Sequence, residues 1–361
     1  MKELVDYLGP KKRTIRVFLK NKLAAADTSI AFLYPYSLKT ESKVVLYTTD
    51  IKTYNEIKKN HVLYDAIQEI GSIEFIWRLD RKLLSDLKQS LIFLRAITAC
   101  FLPNNLVIHF NNTNSFPLNI LNLISKKKVY YLDLFFICPS KNFIKLINNA
   151  NRPSIINLYR VNAITFCKNR PIIGSREQVC LEDPYKNNLW MSYINSISDT
   201  WYEEIKKKFG DDKKIILYVL RTFGADPMMD NDQSNLFLFK ETIRLLSKLN
   251  NVVILLKPHY ITDMKIVNEE ISKYPNIDID ITYAHPLVVS KYSSFFIANF
   301  YSLALHFAKL NKKPVLEYTD YSEETLDCTL GSPIGEDLVD NFFIKGQEDD
   351  LLNIAQQYIS Y

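Results

Sequence analysis

Glycine is scarce, with eight in 361 residues. Sites that cradle a dinucleotide or triphosphate on backbone N–H groups need several glycines close together, and neither G-x-G-x-x-G nor G-x-x-x-x-G-K-S/T occurs. That excludes an ordinary dehydrogenase or P-loop nucleotidase. Cysteine is sparse too. Cys100, Cys138, Cys167, Cys180 and Cys328 are odd in number and far apart, outlining neither a disulfide framework nor a CxxC zinc site, and imply reduced thiols in a cytoplasmic chain. There is no apolar run long enough for a signal peptide or membrane span, so neither is expected. Nor is there a strong excess of one charge. Lys plus Arg number 45 against 40 Asp plus Glu, and a net +5 is too mild for a nucleic-acid-binding composition.

What is present is enough apolar material for two ordinary cores, since 47% of residues are hydrophobic. Runs rich in β-branched and aromatic residues at 29–36, 43–50, 72–79, 105–112 and 128–136 read as parallel strands, with helical patterns between them at 51–71, 81–100 and 115–127. A polar, helix-like stretch at 183–210 reads as a linker. A second series of strands follows at 213–220, 251–258, 277–283, 293–300 and 313–320, with helices near 234–249, 262–273, 285–291, 301–311 and 348–359. The expectation is an α/β chain of two Rossmann-like domains facing a cleft, 1–182 and 183–361. Lys11 to Leu23 mixes six cations with Ile15, Val17, Phe18, Leu19 and Leu23 and reads as a basic amphipathic helix. Such a helix has a solvated face or lies on an anionic membrane.

Ligands of open α/β sheets bind beyond the carboxyl ends of the strands, so polar residues there carry the most weight. Three strand ends in the second half qualify. After IILYVL, Gly224 permits a sharp turn and Pro227 keeps Asp226 out of helical geometry, so its carboxylate can project as a base or nucleophile; an Asp-Pro pair is also an ordinary turn device. After VVILL, Lys257-Pro258-His259 places a cation and an imidazole where a departing phosphate would need them. After FFIA, Asn299, Tyr301 and Ser302 lead into a helix whose N-terminus is a phosphate seat, or is simply capped by Ser302. Ser294 and Glu317 are weaker candidates for the same ligand, Glu317 reading also as an exposed strand-end carboxylate.

In the first half, His109 and Asp133 follow or end apolar runs, and Glu177 lies in SREQVCLEDPY. These three could reach a second substrate. Asp278-Ile279-Asp280 formally matches a DxD metal signature but reads as a solvated strand face, and His285-Pro286 reads as a helix start.

The order of an Asp loop, an apolar run ending in Lys-Pro-His, and FFIANFYSLALHFAKLNKKPVLEY resembles the carboxy-terminal half of bacterial GT-B glycosyltransferases that use CMP-activated sugar acids. Retaining β-Kdo transferases and bacterial sialyltransferases are the nearest in pattern. The resemblance covers roughly residues 213–320. It implies transfer of Kdo or a related sialic-type nonulosonic acid from its CMP donor to a glycan of bacterial surface polysaccharide, with neither metal nor cofactor, in a cytoplasmic enzyme that the segment at 11–23 could bring to the inner face of the membrane. It further implies that Asp226 acts as nucleophile or base, that His259, Lys257 and Ser302 hold the CMP phosphate, and that the first domain binds the acceptor. Tyr260 stands where a second proline would follow the His, and the Asp-Gly pair of several sialyltransferases is missing, so the sugar acid stays open. The rivals are a transferase using a nucleoside-diphosphate sugar or CDP-polyol, and a non-catalytic nucleotide- or glycan-binding module.

Overall fold

The structure is a computed structural model, and it describes residues 4–19, 23–76, 87–110, 128–133, 162–166, 175–221, 234–259, 262–300, 302–322 and 338–360. These residues form two compact units, one up to Ser192 and one from Tyr193 onward.

Each unit is built on a wholly parallel sheet. In the first, β1 (Thr14–Phe18), β2 (Lys43–Thr48), β3 (Gly71–Phe75), β4 (Asn105–His109), β5 (Val129–Leu132), β6 (Asn162–Thr165) and β7 (Glu177–Cys180) take the order β3-β2-β1-β4-β5-β6-β7. In the second, β8 (Lys214–Val219), β9 (Val252–Lys257), β10 (Asp278–Ile281), β11 (Ser293–Ala298), β12 (Val315–Thr319) and β13 (Asn341–Ile344) take the order β10-β9-β8-β11-β12-β13. Both orders reverse direction once, between β1 and β4 and between β8 and β11. Such a switch point opens a crevice at the carboxyl ends of those strands. The expected class, two Rossmann-like α/β domains, is what the chain forms.

The helices of the first unit are α1 (Leu4–Leu8), α2 (Leu23–Thr40), α3 (Ile51–Lys59), α4 (His61–Ile70) and α5 (Leu87–Cys100), and α6 (Asn188–Phe209) runs from one unit into the other. Those of the second are α7 (Ser234–Leu246), α8 (Met264–Ile271), α9 (Pro286–Ser290), α10 (Leu303–Leu310) and α11 (Glu348–Ser360). The second core forms where alternate residues of the sheet, including Ile216, Tyr218, Ile254, Leu256, Phe295, Ile297, Leu316 and Tyr318, meet Leu238, Phe239, Ile243 and Leu246 of α7 and Leu351 and Ala355 of α11. Each Leu, Ile or Phe among them contributes about 1.5–3 kcal/mol by leaving water.

Two expectations for the first unit are overturned. The run at 29–36 is not a strand but the middle of α2, an 18-residue helix buried along most of its length. A run that is apolar on every side suits a buried helix as well as a buried strand, and Ala24-Ala25-Ala26 with a length beyond that of ordinary strands decides for helix. The supposed basic helix at 11–23 contains the central strand β1. Thr14, Ile15 and Val17 are β-branched, and Ile15 and Val17 alternate as buried residues with the half-buried Thr14 and Arg16. The helix expected over 51–71 is broken into α3 and α4 at Asn60, whose Oδ1 accepts from the Leu63 amide at 3.3 Å. Strands β6, β7 and β13 were not anticipated. The helix expected over 115–127 lies outside the described residues.

Candidate functional site

The carboxyl edge of the second sheet collects the polar groups. Beyond β8 the ladder continues for one residue, the Leu220 amide donating to the Lys257 carbonyl at 2.9 Å, and Arg221 follows at the switch point. The carbon at the centre of its guanidinium lies 3.1 Å from the centre of the Phe300 ring, a cation held against an aromatic face. Phe300 meets Tyr321 edge to face at 5.4 Å, and the Tyr321 hydroxyl donates to Oε1 of Glu317. Glu317 is buried on β12, in register with Ala298. Burial pushes its carboxyl up to about 8, against the pull of Tyr321 and Arg221, while burial lowers Arg221 to about 10. The arginine is thus held against an aromatic face, with the buried Glu317 carboxyl close enough to influence it electrostatically.

Next to it, Lys257 ends β9, its Nζ 6.0 Å from the centre of the Tyr283 ring. Pro258 is buried and His259 exposed. The Thr262 amide donates to the His259 carbonyl at 2.9 Å and its hydroxyl to the Arg221 carbonyl at 3.3 Å, so the turn carrying His259 is tied to the end of β8. On the other side of β8, Ser302 caps α10: its backbone is extended and its Oγ accepts from the Ala304 amide at 3.2 Å. Because β9, β8 and β11 are successive neighbours, the strand ends leading to His259 and to Ser302 are about 10 Å apart. Two cations, an imidazole and a helix N-terminus on one edge suit an anion with a phosphate.

The other candidates are placed differently. Asp226 and Tyr301 lie outside the described residues. Asn299 is at the right edge, but its amide is committed to the fold. Its Oδ1 accepts from the Tyr218 hydroxyl, and its Nδ2 donates to Thr242 Oγ1 at 2.8 Å and to the Tyr318 carbonyl at 2.9 Å. It braces β8, β11 and β12 and offers a ligand little. Glu317 is not the exposed strand-end group expected but a buried one that accepts from the Tyr321 hydroxyl. Ser294 sits at the amino end of β11, in a register shift between Ser293 and Phe295, so it is about 13 Å of strand away from the carboxyl edge. In the first unit, His109 and Asp133 are buried at the carboxyl ends of adjacent strands, His109 meeting Tyr131 edge to face at 5.9 Å. Glu177 begins the edge strand β7 in register with Asn162 and Tyr130, which places it on the sheet face opposite to His109 and Tyr131.

Asp278 and Asp280 pair with Lys213 at 2.7 Å and Lys208 at 2.5 Å, as a solvated strand face would. His285 is buried and caps α9, Nδ1 accepting from the Leu287 amide at 3.1 Å. The stacking of Arg221 on Phe300 is not evident in the sequence. Arg221 is a charged residue directly after an apolar run, but the stacking partner Phe300 is 79 positions away and only the strand order brings it there.

No protein-family model and no curated protein matches the chain. Solved structures do share its fold. The glycotransferase of kitacinnamycin is 9% identical with a TM-score of 0.52, over 97% of this chain and 91% of that one. A glycosyltransferase from Rickettsia africae is 12% identical with a TM-score of 0.52, over 97% and 88%. A UDP-N-acetylglucosamine 2-epimerase is 13% identical with a TM-score of 0.52, over 97% and 89%. The chain has the two-domain α/β fold of these GT-B glycosyltransferases and epimerases.

Proposed function

We propose that the chain is a glycosyltransferase that moves Kdo or a related sialic-type nonulosonic acid from a CMP donor to a glycan acceptor of bacterial surface polysaccharide. One observation carries the reading: Lys257, His259, Arg221 and the Ser302-capped start of α10 share the carboxyl edge of the second sheet, at its switch point. A CMP-linked sugar acid brings two anionic groups, its phosphate and its carboxylate. Ser302 donates its hydroxyl to the phosphate at the positive end of α10, and His259 donates to it as the bond to the anomeric carbon breaks and CMP leaves with the electron pair. Lys257 offsets the charge that develops on CMP, and Arg221 holds the second anion.

Asp226, five positions after Arg221 in the sequence, supplies the carboxylate. As nucleophile it bonds to the anomeric carbon and is then displaced by the acceptor hydroxyl, retaining configuration. As base it takes the proton of that hydroxyl during a single inverting displacement. The acceptor is assigned to the first unit, where His109 and Asp133 lie buried beneath the carboxyl edge of the sheet and Glu177 is exposed on its edge strand.

The second reading, a nucleoside-diphosphate-sugar enzyme, is favoured by the UDP-sugar epimerase among the structures of the same fold. Competition decides between them. CMP displacing a labelled donor at least tenfold better than UDP or GDP, with the preference weakened in His259→Ala, supports the proposal; UDP or GDP winning that contest overturns it.

A further inference from the structure

The amino-terminal half of the first sheet carries a second polar concavity, a cavity of about 290 Å³ between β1, β2, β3 and α5. Strand register explains its chemistry. Arg16 is opposite Val45, Val45 opposite Ser72, and Tyr47 opposite Glu74, so these residues share one face of the sheet. Where α5 packs on that face, Phe93, Ala96 and Cys100 meet Phe18, Val45, Tyr47 and Val107 in a dry cluster. Toward the amino edge, among the described residues, α5 presents the small Ala96 and Ala99 beside Arg95, and the sheet presents Arg16, Lys43, Ser72 and Glu74. The space is therefore left open and lined with charge.

Arg16 is fixed within it. Its Nε donates to Asn105 Oδ1 at 2.8 Å and its Nη1 to the Tyr47 hydroxyl, which uses two of the five N–H groups of a guanidinium. Three cations, Arg16, Lys43 and Arg95, face a single carboxylate, Glu74, so the lining has a net excess of two positive charges. An arginine held flat by two bonds recognises a carboxylate or phosphate with little loss of side-chain freedom. Glu74 and Ser72 are acceptors for hydroxyl groups. The volume is that of a small-ligand pocket.

We propose that this cavity binds a monosaccharide-sized, polyhydroxylated anion, a sugar acid or sugar phosphate, with Arg16 on the anionic group and Glu74 and Ser72 on hydroxyls. The site belongs to the first unit alone and lies at the amino edge of its sheet. It is independent of the reading given for the second unit.

Titration calorimetry on the full chain tests it, with glucuronate, glucose 6-phosphate, inorganic phosphate and uncharged glucose as probes. At least one sugar anion binds with a Kd of about 1 mM or tighter, and glucose binds at least about tenfold more weakly. Which anion binds better tells carboxylate from phosphate recognition. Lys43 and Arg95 are exposed, so the Lys43→Glu/Arg95→Glu variant keeps its Tm while losing about tenfold or more in affinity. Arg16→Gln loses more, and its Tm reports whether the sheet is intact. Sugar anions binding no better than glucose, or an unchanged Kd after charge reversal, would overturn the site. Inorganic phosphate binding as tightly as glucose 6-phosphate would overturn the role given to Glu74 and Ser72.

Discussion

The two units share one strand order, 3-2-1-4-5-6 with an added strand in the first, yet the polar clusters around Arg221 and around Arg16 lie at opposite edges. In the second unit the carboxyl edge carries Arg221, Lys257, His259 and the capped start of α10, while the Lys213–Asp278 ion pair lies at the amino edge. In the first unit the carboxyl edge carries His109 and Asp133, both buried, and the cations gather in the cavity toward the amino edge. Topology supplies two edges and a switch point to each sheet. Which edge can bind an anion is decided by side chains, and so the same fold does not imply the same role for both units.

The contrast is broken most severely at the second carboxyl edge. Asp226→Ala abolishes transfer while CMP affinity is largely kept. His259→Ala lowers transfer by about 10²–10⁴ and weakens CMP binding with it. Turnover assays beside calorimetry separate the two effects, and near-normal transfer by a folded Asp226→Ala protein would remove the carboxylate from the mechanism.

A mutation in the first unit acts on stability instead. A Cβ on Gly71, at the start of β3, would lie 1.7 Å from the carbonyl oxygen of Val44 on β2, so Gly71→Ala must push the two strands apart. It costs about 1–3 kcal/mol, measured by denaturant unfolding, and disturbs the cavity that Gly71 also lines.

Glu317 sharpens the comparison through pH. Its carboxyl has an ordinary value of 4.5 and is raised to about 8 by burial. The folded state therefore binds the extra proton, and this contribution to stability is complete below about 4.5 and is lost as pH rises toward 8. The loss is of order 1–3 kcal/mol after allowance for the partners Tyr321 and Arg221. Glu317→Gln flattens that decline in a Tm series from pH 5 to 8; an unchanged slope would mean the carboxyl is ionised in its buried site. The smallest effect is at the other edge of the same sheet, where the Asp278→Asn/Asp280→Asn variant leaves both Tm and turnover unchanged, as a solvated strand face requires.

Legibility differed between the units for a physical reason. Strands β8 to β12 are short, nearly continuous apolar runs separated by clear helical patterns, and the sequence places all five within a few residues. In the first unit the apolar stretch of α2 has no polar face to reveal its period, and β1 hides its alternation behind flanking lysines and arginines. Strands β6 and β7 are only four residues each. At the site, Lys257 ends its strand and His259 and Ser302 come shortly after theirs, so their place at the carboxyl edge could be read from the sequence. The stack of Arg221 on Phe300 and the burial of Glu317 could not, since both depend on the neighbour relations of β8, β11 and β12. Ser294 lies on its strand but at the amino end, away from the edge where the other candidates gather.

The central claim is that the carboxyl edge of the second sheet handles a CMP-activated sugar acid. CMP release from CMP-Kdo, CMP-Neu5Ac and CMP-pseudaminic acid, with and without glycan acceptors and beside UDP- and GDP-sugars, tests it directly. The account predicts release from one CMP donor, stimulated by acceptor and abolished in Asp226→Ala. Silence with every CMP donor together with turnover of a UDP- or GDP-sugar would contradict it.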